Sequence, residues 1–126
     1  MTPFGDKVRA LRNRRGITQK KMARDMGVSA AYLSALEHGQ RGRPGSGLIM
    51  QICTYFDLIW DEAEDLKALA SLSHPRIVVN TAGLSSRATE LANQLAHHIG
   101  DLDEDTIDWI LAEIQGRMGP IQGPTH

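Results

Sequence analysis

Two helical patterns, "TQKKMARDM" and "AAYLSALEH", are separated only by "GVS" at residues 27–29. A turn of three residues does not let two helices run side by side; it forces them to cross steeply, as in a helix-turn-helix. Thr18 is placed to cap the first of the pair, with Ile17 before it as a staple residue. Met22, Ala23 and Met26 form its inner face, and Gly27 stops it. Ser29 caps the second, which turns Val28, Leu33 and Leu36 inward and closes at Gly39. A helix set at such an angle projects, so other elements must support it from behind.

The flanking sequence supplies them. Phe4, Val8 and Leu11 recur at i, i+4, i+7, and Gly16 ends that helix as a left-handed C′ residue. "QRGRPGSG" is a loop of turn residues with two arginines. Ser46 is placed to cap a fourth helix with Leu48 or Ile49, Ile52, Cys53 and Phe56 inward. A fifth runs near 61–71, with Leu66, Leu69 and Ala70 inward. Five short helices in the first 72 residues make a domain of the all-α class. Aromatics are only 5% of the chain, so its core rests on aliphatic residues and methionine.

Charge divides the chain. Residues 1–50 hold ten Lys/Arg and three Asp/Glu, a balance of +7; residues 51–126 hold four and twelve, a balance of −8. A basic half fits a polyanion, and an acidic half fits something held away from it. Arg9, Arg14, Arg15, Lys20, Lys21, Arg24, Arg41 and Arg43 are the candidates for phosphate contact. Arg41 and Arg43 rank first, because Gly42 and Gly45 let that loop approach a backbone closely.

The texture changes at residue 73. His74-Pro75 breaks the helix. "RIVVNT" is β-prone and is expected to form one short strand. Ser85 caps a helix carrying Ala88, Leu91, Ala92, Leu95 and Ile99, which Gly100 ends. Asp103 caps a last helix with Ile107, Ile110, Leu111 and Ile114 on one face. Residues 73–116 thus form an extension, and 117–126, rich in Gly and Pro, read as a disordered tail. One lone strand and two narrow apolar stripes cannot build a core alone. The expectation is dimerisation through Ile77, Val78, Val79, Leu91, Leu95, Ile107, Ile110 and Leu111, with the strand pairing across a two-fold axis.

Other chemistries lack support. The single cysteine, Cys53, excludes an intrachain disulfide and reads as a core residue. His97 and His98, adjacent on a helix, diverge by about 100° and do not readily share a metal ion. Asp101, Asp103, Glu104 and Asp105 suit a helix N-terminus without any ion. "GRPGSG" lacks the lysine and spacing of a phosphate loop. No nucleophile sits in a recognisable context. The expectation is no enzyme, no cofactor and no metal. With no apolar run near the roughly 20 residues of a membrane span and no secretory signal, a cytoplasmic location is expected.

The stretch "VRALRNRRGITQKKMARDMGVSAAYLSALEHGQRGRP" with "LIMQICTYFDL" resembles the Cro/C1-type (XRE-like) helix-turn-helix regulators of bacteria and phages. The likeness covers about residues 4–71 and implies a five-helix, lambda-repressor-like domain that binds double-stranded DNA. It places Gln19 at the start of helix two, at the DNA backbone or beside the first recognition residue, with Lys20 next to it as a candidate for DNA contact. Ser29, Ala30, Ala31, Tyr32, Ser34 and Ala35, on the helix over 29–38, fall in the major groove, and Arg41 and Arg43 on phosphates. Arg12 and Glu37 match a largely buried ion pair between helices one and three. The chain departs from the pattern at Ala30, Ala31 and Ala35, since alanine offers no hydrogen bond to a base edge. That implies firm backbone positioning with light direct readout, the rest of the discrimination coming from DNA shape and dimer spacing.

The expected function is a dimeric transcriptional regulator, by default a repressor on a palindromic operator. Two alternatives accompany it: the antitoxin of a toxin–antitoxin pair, whose acidic C-terminal half binds a protein, and an interaction adaptor whose helix-turn-helix has lost DNA.

Overall fold

The computed structural model describes residues 1–40 and 44–121. They divide into two units, Met1–Arg76 and Ile77–Pro120. The first contains α1 (Pro3–Arg14), α2 (Gln19–Met26), α3 (Ala30–Glu37), α4 (Ser46–Tyr55) and α5 (Trp60–Ser71). The second contains α6 (Ser86–His98), a 3-10 turn over Ile99–Asp101, and α7 (Glu104–Met118).

The joints on either side of α2 use one device. Gly16 and Gly27 adopt left-handed backbone, φ 64° and 72°. The next residue donates its N–H back into the helix, Ile17 to Arg12 O and Val28 to Ala23 O, each at 2.9 Å. That satisfies carbonyls a helix end leaves bare. The residue after that caps the next helix: Thr18 Oγ1 accepts from Lys21 N–H at 3.0 Å, and Ser29 Oγ from Tyr32 N–H at 3.0 Å. "GIT" and "GVS" are therefore the same stop, apolar anchor and start in three residues. Ile17 and Val28 pack against the core.

"DLI" at 57–59 repeats this joint with poorer residues. Asp57 takes the left-handed position at φ 54°, and Leu58 N–H returns to Cys53 O at 2.8 Å. Ile59 stands at the cap of α5 with no side-chain hydrogen bond to offer. The helix starts at Trp60, close to the expected 61. At α4 the cap is Gly45, not Ser46, again without a side-chain bond.

The core gathers one face of each helix: Phe4, Val8 and Leu11; Met22 and Ala23; Leu33 and Leu36; Ile49, Ile52 and Phe56; Leu66 and Ala70. Cys53 and Leu48 pack at its margin. α1 lies against both α3 and α5, α2 against α3, and α4 against α5. Ser73 completes the unit. Its hydroxyl accepts from Phe4 N–H at 2.9 Å and donates to Leu69 O at 2.5 Å, tying the end of α5 to the start of α1.

The second unit departs from expectation. No strand exists among the described residues, and "RIVVNT" carries no ladder. A strand needs a partner for its N–H and C=O groups, and β-prone side chains do not replace one. The chain turns instead. Asn80 Oδ1 accepts from Ala82 N–H at 2.9 Å, Thr81 O accepts from Leu84 N–H at 3.0 Å, and Gly83 is left-handed. Ile77, Val78 and Val79 are exposed, Val78 by 95%. Ser85 and Asp103 cap α6 and α7 through Ala88 N–H and Thr106 N–H. Gly100 does not end α6; it lies inside the 3-10 turn. α7 runs on through Gly116. The helix passes through Arg117 to Met118, into the expected tail, and stops at left-handed Gly119 before Pro120. Residues 122–126 of that tail lie outside the described residues. No residue from 77 to 120 is buried.

Candidate nucleic-acid interface

One buried carboxylate fixes α3. Glu37 Oε2 accepts from Arg12 Nε at 2.9 Å and Glu37 Oε1 from Arg12 Nη2 at 2.9 Å. The pair is 8% and 3% exposed. Gln19 Nε2 adds a longer bond to Glu37 Oε1 at 3.4 Å, and Arg12 Nη1 donates to Ile17 O at 3.3 Å. α1, the start of α2 and the end of α3 thus meet at one group. A bidentate guanidinium–carboxylate pair fixes direction as well as distance.

Backbones also meet here. A Cβ built on Gly5 would lie 1.9 Å from Glu37 O. Only glycine at position 5 permits this approach of α1 to α3. Gly39, left-handed at φ 77°, fits against Thr2 in the same corner. The sequence gives no sign of this role for either. Gly5 has an ordinary helical backbone, and only the neighbouring helix makes it matter.

With Leu33, Leu36 and Glu37 turned inward, the opposite direction around α3 passes through Ala31 and Ala35. This follows from the roughly 100° turn per residue. Ala30 and Ala31 are exposed; Tyr32, Ser34 and Ala35 are half-buried. Ser29 spends its acceptor on the cap. His38, at the end of α3, holds Ser34 O through Nδ1 at 2.8 Å. A carbonyl only accepts, so Nδ1 carries the proton and Nε2 is left for an outside partner. Sequence reasoning misses His38, because an exposed histidine just past a helix end carries little signal.

The cations differ in their commitments. Arg9 pairs with Asp6 at 2.7 Å and Lys21 with Asp25 at 3.0 Å. Such exposed pairs are weak and exchange readily for a phosphate. Arg15, exposed and with no ion pair among the described residues, donates one N–H to Phe56 O at the end of α4 and lies 5.7 Å over the Phe56 ring. Arg14, Lys20 and Arg24 are exposed, with no ion pair among the described residues. Arg41 and Arg43 lie outside the described residues.

α2 is further pinned to α4. Tyr55 Oη donates to Asp25 Oδ2 at 2.7 Å. That bond, seconded by Lys21, holds the Asp25 carboxyl below its usual range. Desolvation, with the Asp25 bond behind it, pushes the Tyr55 hydroxyl up to about 12. Among the described residues no three His, Cys, Asp or Glu side chains converge on a metal position, and no helix is long and apolar enough to cross a membrane.

The dimerisation candidates all fall in the second unit. Leu91 and Leu111 are exposed, and Leu95, Ile107 and Ile110 half-buried.

Comparison with known proteins agrees with this geometry. Over 52 residues the chain is 42% identical to the HTH-type transcriptional repressor RghR of Bacillus subtilis (strain 168), covering 41% of this chain and 38% of that protein. The uncharacterized HTH-type transcriptional regulator RghRB of the same organism is 38% identical over 52 residues, covering 41% and 37%. The match thus spans well under half the length of either curated relative. No solved structure gives a significant match. A family model described as a helix-turn-helix domain matches residues 3–72, more than half of the chain, and with α2, the GVS turn and α3 at its centre the chain belongs to that helix-turn-helix family.

Proposed function

We propose that this protein is a DNA-binding transcriptional regulator, acting as a homodimeric repressor that sets the helix over 29–38 in the major groove of a palindromic operator. The observation that carries the reading is the orientation of α3. Its inner face is locked by Leu33, Leu36 and the Arg12–Glu37 pair, while its outer face presents Ala31, exposed, and Ala35, half-buried. Gln19 and Lys20 stand at the start of α2, where a backbone contact needs them. Lys20 and Arg24 have no ion pair among the described residues, and Arg41 and Arg43, which follow α3 in sequence, add charge. The repressor named RghR, similar over 52 residues, supports the regulatory assignment.

The second unit supports dimerisation. A segment with no buried residue gains too little hydrophobic stabilisation to offset the entropy of ordering it. Leu91, Leu111 and Ile114 are exposed on the same stripes as Leu95, Ile107 and Ile110, and a second copy is the partner that a palindrome requires.

Two measurements test this. Fluorescence anisotropy of the full chain on random duplex should give binding that weakens as salt rises. Light scattering should give a dimer that Leu91→Asp with Leu111→Asp converts to a monomer, with operator affinity falling toward that of a half-site. Absence of DNA binding at low salt would leave the adaptor reading. A wild-type monomer that binds DNA would favour the antitoxin reading, in which a different protein covers the stripes of α6 and α7.

A further inference from the structure

We infer that α3 recognises thymine C5-methyl groups, reading half-sites with two of them through Ala31 and Ala35. This rests on the proposed docking of α3 in the major groove. The residues that point straight outward from the locked helix are Ala31 and, one turn on, Ala35. Each ends in a methyl group.

His38 leaves Nε2 open at the far end of this face, one turn past Ala35; the polar groups beside the two alanines are flanking or committed. Ser29 Oγ accepts the Tyr32 N–H, and Ser34 sits half-buried to one side of the alanine line. The line itself offers neither donor nor acceptor. Of the four base-pair orientations, those with thymine present an apolar group in the major groove, and that group is the C5-methyl. Guanine and cytosine edges lose water hydrogen bonds when a bare methyl covers them, and such unpaired polar groups are costly. Preference therefore runs toward thymine by attraction and away from G·C by desolvation. The short side chains also let the helix backbone sit close to the groove floor, where methyl–methyl contact is possible. Residues 31 and 35 are separated by about 6 Å along the axis at 1.5 Å per residue, close to two base-pair steps of about 3.4 Å. The two methyls thus address thymines about two steps apart.

The test uses the full chain. Duplexes are selected from a random pool, and the best site is then made with deoxyuridine for thymidine, which removes only the C5-methyl. Burial of one methyl corresponds to about fourfold in affinity, so two such methyls in a half-site give about fifteenfold. Three results are expected: a loss of that size for uracil inside one half-site, none for uracil in the flanks, and recovery with 5-bromouracil, which restores the bulk. The slope of affinity against salt should stay unchanged, because every phosphate keeps its cation. Ala31→Gly should cut the penalty for a uracil half-site from about fifteenfold to about fourfold, the part that Ala35 still reads, whatever its absolute affinity. Equal binding of thymine and uracil half-sites by the wild-type chain would overturn the inference while leaving DNA binding intact. So would a loss that equally follows flanking uracil. Failure to enrich or bind any duplex at low salt would instead remove the reading on which it rests.

Discussion

Gly5→Ala separates helix propensity from tertiary packing, because the two predict opposite signs. Gly5 lies in the first turn of α1. In a helix considered alone, alanine for glycine gains about 1 kcal/mol. In this fold the new Cβ would meet Glu37 O at 1.9 Å, Glu37 C at 2.7 Å and Glu37 Cα at 2.9 Å. Ordinary contact begins at 3.4 Å, so the nearest atom is 1.5 Å too close. All three atoms are backbone, so no side chain can rotate away. α1 must withdraw from α3, and a withdrawal of that size stretches the two 2.9 Å Arg12–Glu37 bonds beyond hydrogen-bonding distance. Overpacking costs about 1–3 kcal/mol, and separating a buried ion pair about 3–5 kcal/mol more. A sum of that order rivals the whole stability of a unit of this size, about 4–11 kcal/mol at 0.05–0.15 kcal/mol per residue. Gly47→Ala is the control. Gly47 is also helical, but its Cβ would meet nothing within 4 Å. Urea unfolding followed by circular dichroism should show Gly5→Ala unfolded or severely weakened, and Gly47→Ala unchanged or stabilised by about 0.5 kcal/mol. A Gly5→Ala protein as stable as the parent would refute the close approach of α1 to α3.

Glu37→Ala strands the buried Arg12 guanidinium and should lower the unfolding free energy by about 3–5 kcal/mol; an unchanged urea midpoint would contradict a stabilising pair. Asp57→Gly relieves a left-handed aspartate and should raise stability by up to about 1 kcal/mol, read as an increase in melting temperature. The Tyr55–Asp25 bond makes stability depend on pH at both ends. Tyr55 is raised from 10.0 to about 12, so its contribution is complete below the unfolded value and is lost as pH climbs through the folded one. Asp25 is lowered from 3.8, so its contribution is present above that value and lost as pH falls through the lower folded one. Tyr55→Phe should therefore melt below the parent near neutrality and converge with it in strong acid and strong alkali. Arg41→Ala with Arg43→Ala should weaken specific and random DNA alike and flatten the salt slope by about 0.9 for each phosphate released, as titrations at several salt concentrations will read.

Features that a few neighbouring residues can satisfy among themselves are legible in the chain alone. "GIT" and "GVS" each write out a left-handed stop, an apolar anchor and a cap, with backbone partners close by in sequence. The spacing of Phe4, Val8 and Leu11, like that of Leu33 and Leu36, specifies an inner face once a helix exists. Where the local chemistry is weak, as at Gly45, the cap falls a residue away from the one expected. Features that need two elements to meet become visible in the fold and not before. Gly5 is an indifferent helical residue until Glu37 O lies against it. Ser73 is an ordinary polar residue until Phe4 N–H needs its oxygen. The bond from Arg15 to Phe56 O at the end of α4 likewise exists only once those helices meet. "RIVVNT" has the side chains of a strand, but a strand exists only where another backbone completes its hydrogen bonds, and among the described residues none does.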